Sequence, residues 1–123
     1  MAKRVVIAGS RTFCDYEIAC RFIDQCLLQQ ENVIILSGGA LGADALGERY
    51  AHEHGFAIER YPARWQIYGK VAGIRRNQEM AAACDLVICF WDGESRGTKS
   101  MIAFARKHNK PVFIKDIKCL GEK

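Results

Sequence analysis

Three short apolar runs constrain the fold of this chain more than any other feature, because each ends at a glycine-containing loop that a helical pattern follows. The runs cover residues 4–8, 33–36 and 86–91. Short runs rich in β-branched residues are typical of strands buried on both faces of a parallel sheet. Strand, glycine loop and helix in succession indicate βαβ units, so the sequence predicts an α/β fold.

The segments around these runs supply four helices and two weaker strands. Helical spacing begins after Asp15, a suitable amino-terminal cap, and Gly55 suits the end of the second helix. The long connection over residues 62–73 shows no clear period. The four expected helices cover residues 15–27, the end of the second glycine loop to about residue 54, residues 74–83, and residues 98 to about 109. The two further strands cover residues 56–61 and 112–114.

Five strands that alternate with helices predict a five-stranded parallel sheet with helices on both faces. Right-handed crossovers favour the strand order 3-2-1-4-5 of a Rossmann-like three-layer sandwich. The direction of winding then reverses between the first and fourth strands, and ligands in open α/β sheets bind beyond the strand carboxyl ends at such a point. The loops at Gly9, Gly38 and Gly93 all lie at that end of the sheet.

Composition narrows the class of protein further. A chain of 123 residues, half of them hydrophobic, is the usual size of one domain, so we expect a single nucleotide-binding domain over residues 1–123. The net charge of +4 is modest, does not by itself indicate a nucleic-acid partner and suits an anionic small ligand equally well, so we expect no nucleic acid. Polar surface and apolar helices are compatible with a homodimer or a larger homo-oligomer.

The apolar runs and the cysteines of the sequence indicate the cellular compartment of the protein. The apolar run at residues 5–8 is too short for a signal peptide or a membrane span, so we expect a cytoplasmic protein without a membrane partner. The six cysteines include no C-x-x-C pair, and we expect free, mostly buried thiols, Cys119 among them.

The strongest single motif follows the second strand and reads Ser-Gly-Gly-Ala-Leu-Gly-Ala-Asp over residues 37–44. Glycines let the backbone come close to a phosphate, and the amides and dipole at a helix start favour an anion. We therefore expect Gly38, Gly39, Gly42 and Ala43 to hold a phosphate group. A tight strand-to-helix turn without a ligand is the alternative.

Asp44 and Glu48 lie four residues apart, so they share one helical face beside this loop. They could hold ribose hydroxyls, a metal or a water, and they are our candidate catalytic carboxylates. No histidine or further carboxylate is spaced to complete a metal site, so we assign no metal. In the alternative, Asp44 complements the helix dipole and Glu48 faces solvent.

Two further loops repeat this polar chemistry at the same edge. Gly9, Ser10 and Arg11 follow the first strand, where a hydroxyl and a guanidinium could grip a phosphate. The loop at residues 92–98 brings similar groups to the start of the last helix, namely Asp92, Gly93, Ser95, Arg96, Gly97 and Thr98.

The long connection adds aromatic side chains. Trp65 and Tyr68 offer ring faces for a base, and Arg76 and Asn77, which follow, offer polar groups for phosphates. Long loops in compact domains are often functional, although these rings could instead plug the end of the sheet.

As a set, these motifs resemble the SLOG superfamily and, within it, the small YspA/YpsA-related (cpYpsA-related) proteins. The segments that carry the resemblance are residues 9–11, 37–44, 76–77 with Met80, 91–93 and 95–98. The resemblance implies a Rossmann-like fold with a pocket for nucleotides or related ligands. Members are proposed as sensors of nucleotide-derived signals in conflict or stress systems.

Two more distant branches of the superfamily suggest other activities. The "lonely guy" phosphoribohydrolases carry R-K-x-x-M and P-G-G-x-G-T-x-x-E, whereas this chain has Arg-Asn-Gln-Glu-Met at 76–80 and Gly-Thr-Lys-Ser-Met at 97–101. Ser100 and Met101 thus stand where that family places acids, and a glycosidic transition state needs a carboxylate. The DprA-type proteins bind single-stranded DNA, but they carry extra domains and a clearer basic face.

The sequence therefore predicts a sensor or binding module for a nucleotide or nucleotide-derived ligand such as NAD or ADP-ribose, and it leaves turnover open. A nucleotide N-glycosidic hydrolase that uses Asp44 or Glu48 is one alternative, and a single-strand nucleic-acid binder is another. The predicted ligand contacts are Gly9, Ser10, Arg11, Gly38, Gly39, Gly42, Ala43, Asp44, Trp65, Tyr68, Arg76, Asn77, Asp92, Gly93, Ser95, Arg96, Gly97 and Thr98.

Overall fold

The computed structural model describes residues 2–28 and 30–118 of the chain. Within these residues strands and helices alternate, and one short helix and a 3₁₀ turn stand in the connection after the third strand. In chain order the elements are β1 (Lys3–Gly9), α1 (Tyr16–Leu27), β2 (Val33–Ser37), α2 (Ala43–His54), β3 (Ala57–Arg60), α3 (Trp65–Tyr68), the 3₁₀ turn Gly69–Val71, α4 (Ala72–Ala83), β4 (Leu86–Trp91), α5 (Arg96–Lys107) and β5 (Val112–Asp116).

The five strands form one parallel sheet in the order β3-β2-β1-β4-β5, as the sequence predicted. Val5, in the middle strand, pairs with Ile35 of β2 on one side and with Leu86 of β4 on the other. The winding direction reverses between β1 and β4, so the carboxyl ends of these two strands form the switch point where Rossmann-like folds bind ligands.

Alternation along the strands divides the core into two layers, one on each face of the sheet. Ile88 and Phe90 of β4 point into a cluster that α1 and α2 cover, whereas Val87 and Cys89 point into a cluster that α4 and α5 cover. Both faces are buried because each crossover lays a helix on the sheet. The predicted three-layer sandwich, with helices on both faces, is therefore confirmed.

The local signals at the ends of the first two helices are also confirmed. The Asp15 side chain caps α1 by accepting a hydrogen bond from the amide of Ile18 over 3.1 Å. Gly55 ends α2 in the left-handed conformation, with a φ of 70°.

The connection after β3 differs from the prediction. Residues 62–73, which showed no period, contain α3 and the 3₁₀ turn, and α4 begins at Ala72 rather than at residue 74. A helix of four residues is too short to produce a repeating apolar pattern, so periodicity could not find it. The last helix likewise begins at Arg96, inside the predicted loop, and β5 continues to Asp116.

The cysteines are only partly as expected. All five cysteines of the described chain are free thiols, but only Cys84 and Cys89 are buried, so the expectation of mostly buried thiols is wrong. The exposed Cys14 lies in the loop before α1. Cys119 lies outside the described residues. No helix in the described part of the chain has the length and apolar character that crossing a membrane requires.

Candidate ligand-binding site

A pocket of about 360 Å³ opens at the carboxyl ends of β1 and β4, and we call it the switch pocket. Many of the residues predicted to contact a ligand line it, although they come from four separate segments of the chain. These residues are Gly9, Ser10, Arg11, Asp44, Arg76, Asn77, Asp92, Ser95, Gly97 and Thr98. Sequence reasoning did not predict the other lining residues, which are Ala8, Thr12, Ala40, Met80 and Met101.

A second pocket of about 420 Å³ adjoins the first, and we call it the side pocket. The two pockets share Arg11, Ala40 and Arg76. The remaining walls of the side pocket are Gly38, Gly39, Arg60, Pro62, Ala63 and Trp65. Arg60 ends β3 at the same edge of the sheet, so the rule for strand carboxyl ends could have found it.

Ser10 occupies a central position beside the switch pocket. Its residue is only 2 % exposed, and its amide donates to the carbonyl of Phe90 over 2.9 Å. The hydroxyl faces the Asp92 carboxylate and contributes to lowering its pKa, but it makes no hydrogen bond of good geometry with any described residue. A buried hydroxyl without such a partner is uncommon, because its desolvation is not compensated.

The glycine loop after β2 uses three of its amides inside the protein. The amide of Gly39 donates to Ser37 Oγ over 3.0 Å, and that of Ala40 donates to Asp44 Oδ2 over 3.3 Å. The first amide of α2, that of Ala43, donates to the carbonyl of Ser10 over 3.2 Å. The prediction of free amides in this loop is therefore wrong for these three positions.

Gly42 joins this loop to the loop after β1. Its φ is 75°, and a Cβ there would lie 2.4 Å from the backbone carbonyls of Ser10 and Arg11. Neither Gly42 nor Ala43 lines either pocket, so the structure uses these two predicted phosphate contacts to pack two loops together.

Asp44 lies at the inner wall of the switch pocket and is only 6 % exposed. Burial raises the pKa of this carboxyl, since a charge is poorly solvated there. The hydrogen bond from Ala40 and the positive charge of Arg76 oppose that shift. The carboxyl group therefore takes the position beside the glycine-loop amides where the sequence predicted a phosphate.

Arg76 and Asn77 of α4 connect the loop after β2 to the start of α5. Arg76 Nη1 donates to the carbonyl of Gly38 over 2.7 Å, and Nε donates to Asn77 Oδ1 over 3.0 Å. Asn77 Nδ2 in turn donates to the carbonyl of Gly97 over 3.3 Å. This chain of hydrogen bonds holds the guanidinium at the boundary between the two pockets.

Glu48, the second candidate catalytic carboxylate, lies outside both pockets. Ser37 Oγ donates to it over 2.6 Å, and Arg60 donates to its other oxygen over 2.8 and 3.2 Å. It neither faces solvent freely nor points toward Asp44, so its position favours a structural role over the predicted catalytic one. The carboxylates that line the switch pocket are Asp44 and Asp92.

The amino terminus of α5 forms the opposite wall of the switch pocket. Lys99 makes the first intrahelical hydrogen bond, to the carbonyl of Ser95 over 3.1 Å, so the amides of residues 96–98 have no partner within the helix. The Ser95 side chain does not cap them, because its hydroxyl lies 3.2 Å from Thr98 Oγ1 instead. These amides carry the positive end of the helix dipole toward the pocket.

Asp92 organises the turn before α5. Its carboxylate accepts hydrogen bonds from the amides of Glu94 and Ser95 over 2.9 and 2.8 Å, which lowers its pKa. Gly93 and the exposed Arg96, both predicted ligand contacts, line neither the switch pocket nor the side pocket.

The two predicted aromatic contacts are used differently. Trp65 is 57 % exposed and lines the side pocket. Tyr68 lines neither of these pockets, because the guanidinium of Arg75 lies over its ring at 4.2 Å from the centroid. Of the two rings, only Trp65 therefore lies at one of these pockets. Over the described residues, no group of three His, Cys, Asp or Glu side chains converges on a metal position.

Fold and pocket together place the chain in the Rossmann-like class of α/β proteins. The model of the YspA, cpYpsA-related SLOG family matches residues 3–68, just over half of the chain, and the chain belongs to this family. The resemblance inferred from the sequence motifs is thereby confirmed. The chain is also 34% identical over 118 residues to the Gene 61 protein of Mycobacterium phage D29, a match that covers 90% of this chain and 94% of that protein.

Solved structures share the fold at low sequence identity. DNA processing protein A (DprA) from Streptococcus pneumoniae matches 93% of this chain with a TM-score of 0.72 and 21% identity. DprA from Helicobacter pylori, a protein with a single-stranded DNA binding mode, matches 91% with a TM-score of 0.67 and 24% identity. The protein TM1055 matches 91% with a TM-score of 0.65 and 19% identity, and this chain covers 72% of its length. The chain spans 50% and 64% of the two DprA chains.

Proposed function

We propose that this protein binds a nucleotide or a nucleotide-derived ligand across the switch pocket and the side pocket. One observation carries the proposal: a polar pocket at the switch point adjoins a pocket with an exposed tryptophan, and Arg11 and Arg76 belong to both. A nucleotide has the same division, since its phosphoryl and ribose groups are polar and its base is a flat ring. Each pocket has the volume of a small-molecule site.

The polar end suits a phosphoryl group. Ser10, Arg76, Gly97 and Thr98 all line the switch pocket, and the amides of Gly97 and Thr98 have no partner within α5. Helix amino termini and arginines are common phosphate-binding groups, because both supply positive charge and N–H donors.

The side pocket suits a base. Trp65 presents more than half of its surface to solvent beside this pocket, and Arg60 supplies a donor at the opposite wall. Stacking on an indole ring is favourable for any base, so Trp65 would supply affinity with little base selectivity.

A second candidate function is binding of single-stranded nucleic acid. The sequence argued against such a partner, but the fold is shared with a protein that has a single-stranded DNA binding mode, and this supports keeping the candidate. The side chains of Arg64, Trp65, Lys70 and Arg75 are exposed, and we call this stretch, of which Trp65 lines the side pocket, the rim. Basic and aromatic residues in such a row could track a strand.

Substitution of two adjacent arginines, Arg75 and Arg76, distinguishes these two candidate functions. We would measure binding of adenosine 5′-monophosphate, ADP-ribose, NAD and an oligothymidylate by calorimetry, with wild-type protein, Arg76→Gln and Arg75→Gln. A pocket for a nucleotide requires Arg76 but not Arg75, because only Arg76 lines it. Binding of an oligonucleotide along the rim requires Arg75 and weakens steeply with salt.

The outcomes are distinct. Saturable binding of a small nucleotide that Arg76→Gln weakens by about tenfold or more, the equivalent of 1.4 kcal/mol, supports the proposal. Chromatography of the same samples detects release of a free base, the product of an N-glycosidic hydrolase. Failure of every small nucleotide to bind would overturn the proposal, and circular dichroism of each variant verifies that it is folded.

A further inference from the structure

The two helix starts that face the switch pocket differ in how their amides are used. At the start of α2, Asp44 accepts the amide of Ala40 over 3.3 Å and the carbonyl of Ser10 accepts the amide of Ala43 over 3.2 Å. At the start of α5, the amides of residues 96–98 precede the first intrahelical hydrogen bond and Ser95 does not cap them. The amides of Ala40 and Ala43 on the α2 side are therefore already used, whereas those of residues 96–98 on the α5 side are available to an anion.

A buried negative charge on the α2 side also makes that side less suitable for an anion. Asp44 is 6 % exposed and lines the pocket, so a phosphoryl group placed against the glycine loop would meet a carboxylate that solvent screens poorly. The nearby guanidinium of Arg76 is already engaged with the Gly38 carbonyl and with Asn77. It reduces that repulsion but does not remove it.

A second, independent observation indicates a ligand site on the α5 side. Ser10 lines the pocket, and its hydroxyl is buried and makes no hydrogen bond of good geometry with any described residue. Asp92, the carboxylate on this side, accepts the amides of Glu94 and Ser95 with one of its oxygens, Oδ1. A phosphoryl oxygen could accept from the Ser10 hydroxyl and from the first amides of α5 together.

We propose that Asp44 is a specificity-determining residue that directs the phosphoryl group of the ligand to α5 and excludes a second one from the glycine loop. This inference rests on the proposed function and names its ligand class. The ligand carries one phosphoryl end at α5 and places uncharged hydrogen-bond donors, such as ribose hydroxyls, against Asp44. A nucleoside 5′-monophosphate fits this description, and a nucleoside 3′,5′-bisphosphate does not.

The test compares these two compounds. We would titrate adenosine 5′-monophosphate and adenosine 3′,5′-bisphosphate into wild-type protein, Asp44→Asn and the control Glu79→Gln. Asparagine is isosteric and keeps an acceptor for the amide of Ala40, whereas Glu79 is an exposed acid of α4 that lines neither pocket. We expect wild-type protein and Glu79→Gln to prefer the monophosphate by about tenfold or more, and Asp44→Asn to lose most of that preference.

Other results would overturn the inference while sparing the proposed function. Equal affinity of the wild-type protein for both compounds would do so, as would an unchanged preference in Asp44→Asn. If neither compound binds, the proposed function fails with it for this ligand class.

A second measurement does not depend on a nucleotide. Inorganic phosphate titrated into isotope-labelled protein should shift the amide resonances of Gly97 and Thr98 in the wild type and leave those of Gly39 and Ala40 unchanged. In Asp44→Asn the amides of Gly39 and Ala40 keep their hydrogen bonds, but loss of the carboxylate charge should let phosphate approach them, so that both pairs of resonances shift. Phosphate-induced shifts at Gly39 and Ala40 in the wild type, as large as those at Gly97 and Thr98, would overturn the assignment of Asp44.

Discussion

The guanidinium of Arg76 donates a hydrogen bond to the carbonyl of Gly38 over 2.7 Å and thereby ties α4 to the loop after β2. The approach is possible because residue 38 lacks a side chain. A Cβ there would lie 2.5 Å from Arg76 Nη1 and 2.9 Å from Asp44 Oδ2. The glycine thus makes room for a cation and a carboxylate at the junction of the two pockets.

Gly38→Ala should therefore impair binding more than folding. Both clashing groups are ends of side chains, which can move at small cost in stability, but their displacement removes Arg76 from its place between the pockets. We expect the Kd for a nucleotide ligand to rise by about tenfold or more, with a change in melting temperature of only a few degrees. Calorimetry and thermal unfolding of the same variant check both parts, and a large loss of stability with unchanged affinity would contradict the prediction.

Two glycines within helices should respond in opposite ways to alanine. Gly47 of α2 lies on β1, and a Cβ there would lie 2.8 Å from Cβ and Cγ2 of the buried Ile7. Gly47→Ala should cost about 1–3 kcal/mol, because a branched core side chain cannot give way easily. Gly73 of α4 has nothing nearer than 3.8 Å, so Gly73→Ala should stabilise the helix by about 0.5–1 kcal/mol. Chemical denaturation of both variants compares the two effects directly.

Two buried serines provide a similar comparison. Ser37 Oγ donates to Glu48 and accepts from the amide of Gly39, so Ser37→Ala should lower the free energy of unfolding by about 1–3 kcal/mol. The Ser10 hydroxyl has no such bonds among the described residues, so Ser10→Ala should leave stability unchanged or raise it. The same Ser10→Ala variant should bind a nucleotide more weakly. Thermal unfolding and calorimetry test this, and a Ser10→Ala variant as unstable as Ser37→Ala would refute it.

Asp44 should make the stability of the protein depend on pH. Burial raises the pKa of this carboxyl above its ordinary 3.8, so the unfolded chain releases the proton at lower pH than the folded protein does. Stability contributed by this group therefore falls as the pH rises from 3.8 through the raised pKa, and stays low above it. Asp44→Asn cannot ionise, so it should be more stable than the wild type at neutral pH.

Denaturation at several pH values tests this prediction. The advantage of Asp44→Asn should shrink as the pH falls to 3.8 and below, because only below that pH is the carboxyl protonated in both states of the wild type. The amides of Glu94 and Ser95 lower the pKa of Asp92, so the stability that this carboxylate contributes is lost toward acid pH. The loss is the same in both proteins and cancels in the difference between their free energies of unfolding. A constant difference at every pH would show that ionisation of Asp44 is not its cause.

Local patterns were sufficient to predict the sheet. The apolar run 86–91 coincides with β4, and the glycine loops mark the carboxyl ends of β1, β2 and β4. Parallel strands joined by right-handed crossovers allow few orders, so the switch point and the residues around it could be inferred without coordinates. The pocket lies where that reasoning expected it.

The roles of single side chains could not be inferred in this way, because they depend on partners distant in the sequence. Glu48 pairs with Ser37 and Arg60, eleven and twelve residues away. Whether a glycine-loop amide is free depends on whether Asp44 turns inward or outward. Tyr68 was predicted to contact a base, but Arg75 covers its ring once the short α3 turns back on α4. Motif spacing contains none of this information.

The stretch from Trp65 to Val71, which forms α3 and the 3₁₀ turn, contributes no buried side chain. Substitutions there cost little folding stability, whereas Gly9 of the switch pocket and Gly38 of the side pocket are held by close contacts with neighbouring backbone or side chains. Mutation can therefore alter the tryptophan-bearing wall rapidly while the walls around Ser10 and Asp44 change slowly. Among relatives with this arrangement, the part of the ligand that contacts the tryptophan-bearing wall would differ first from one protein to another. The polar part of the ligand would stay the same.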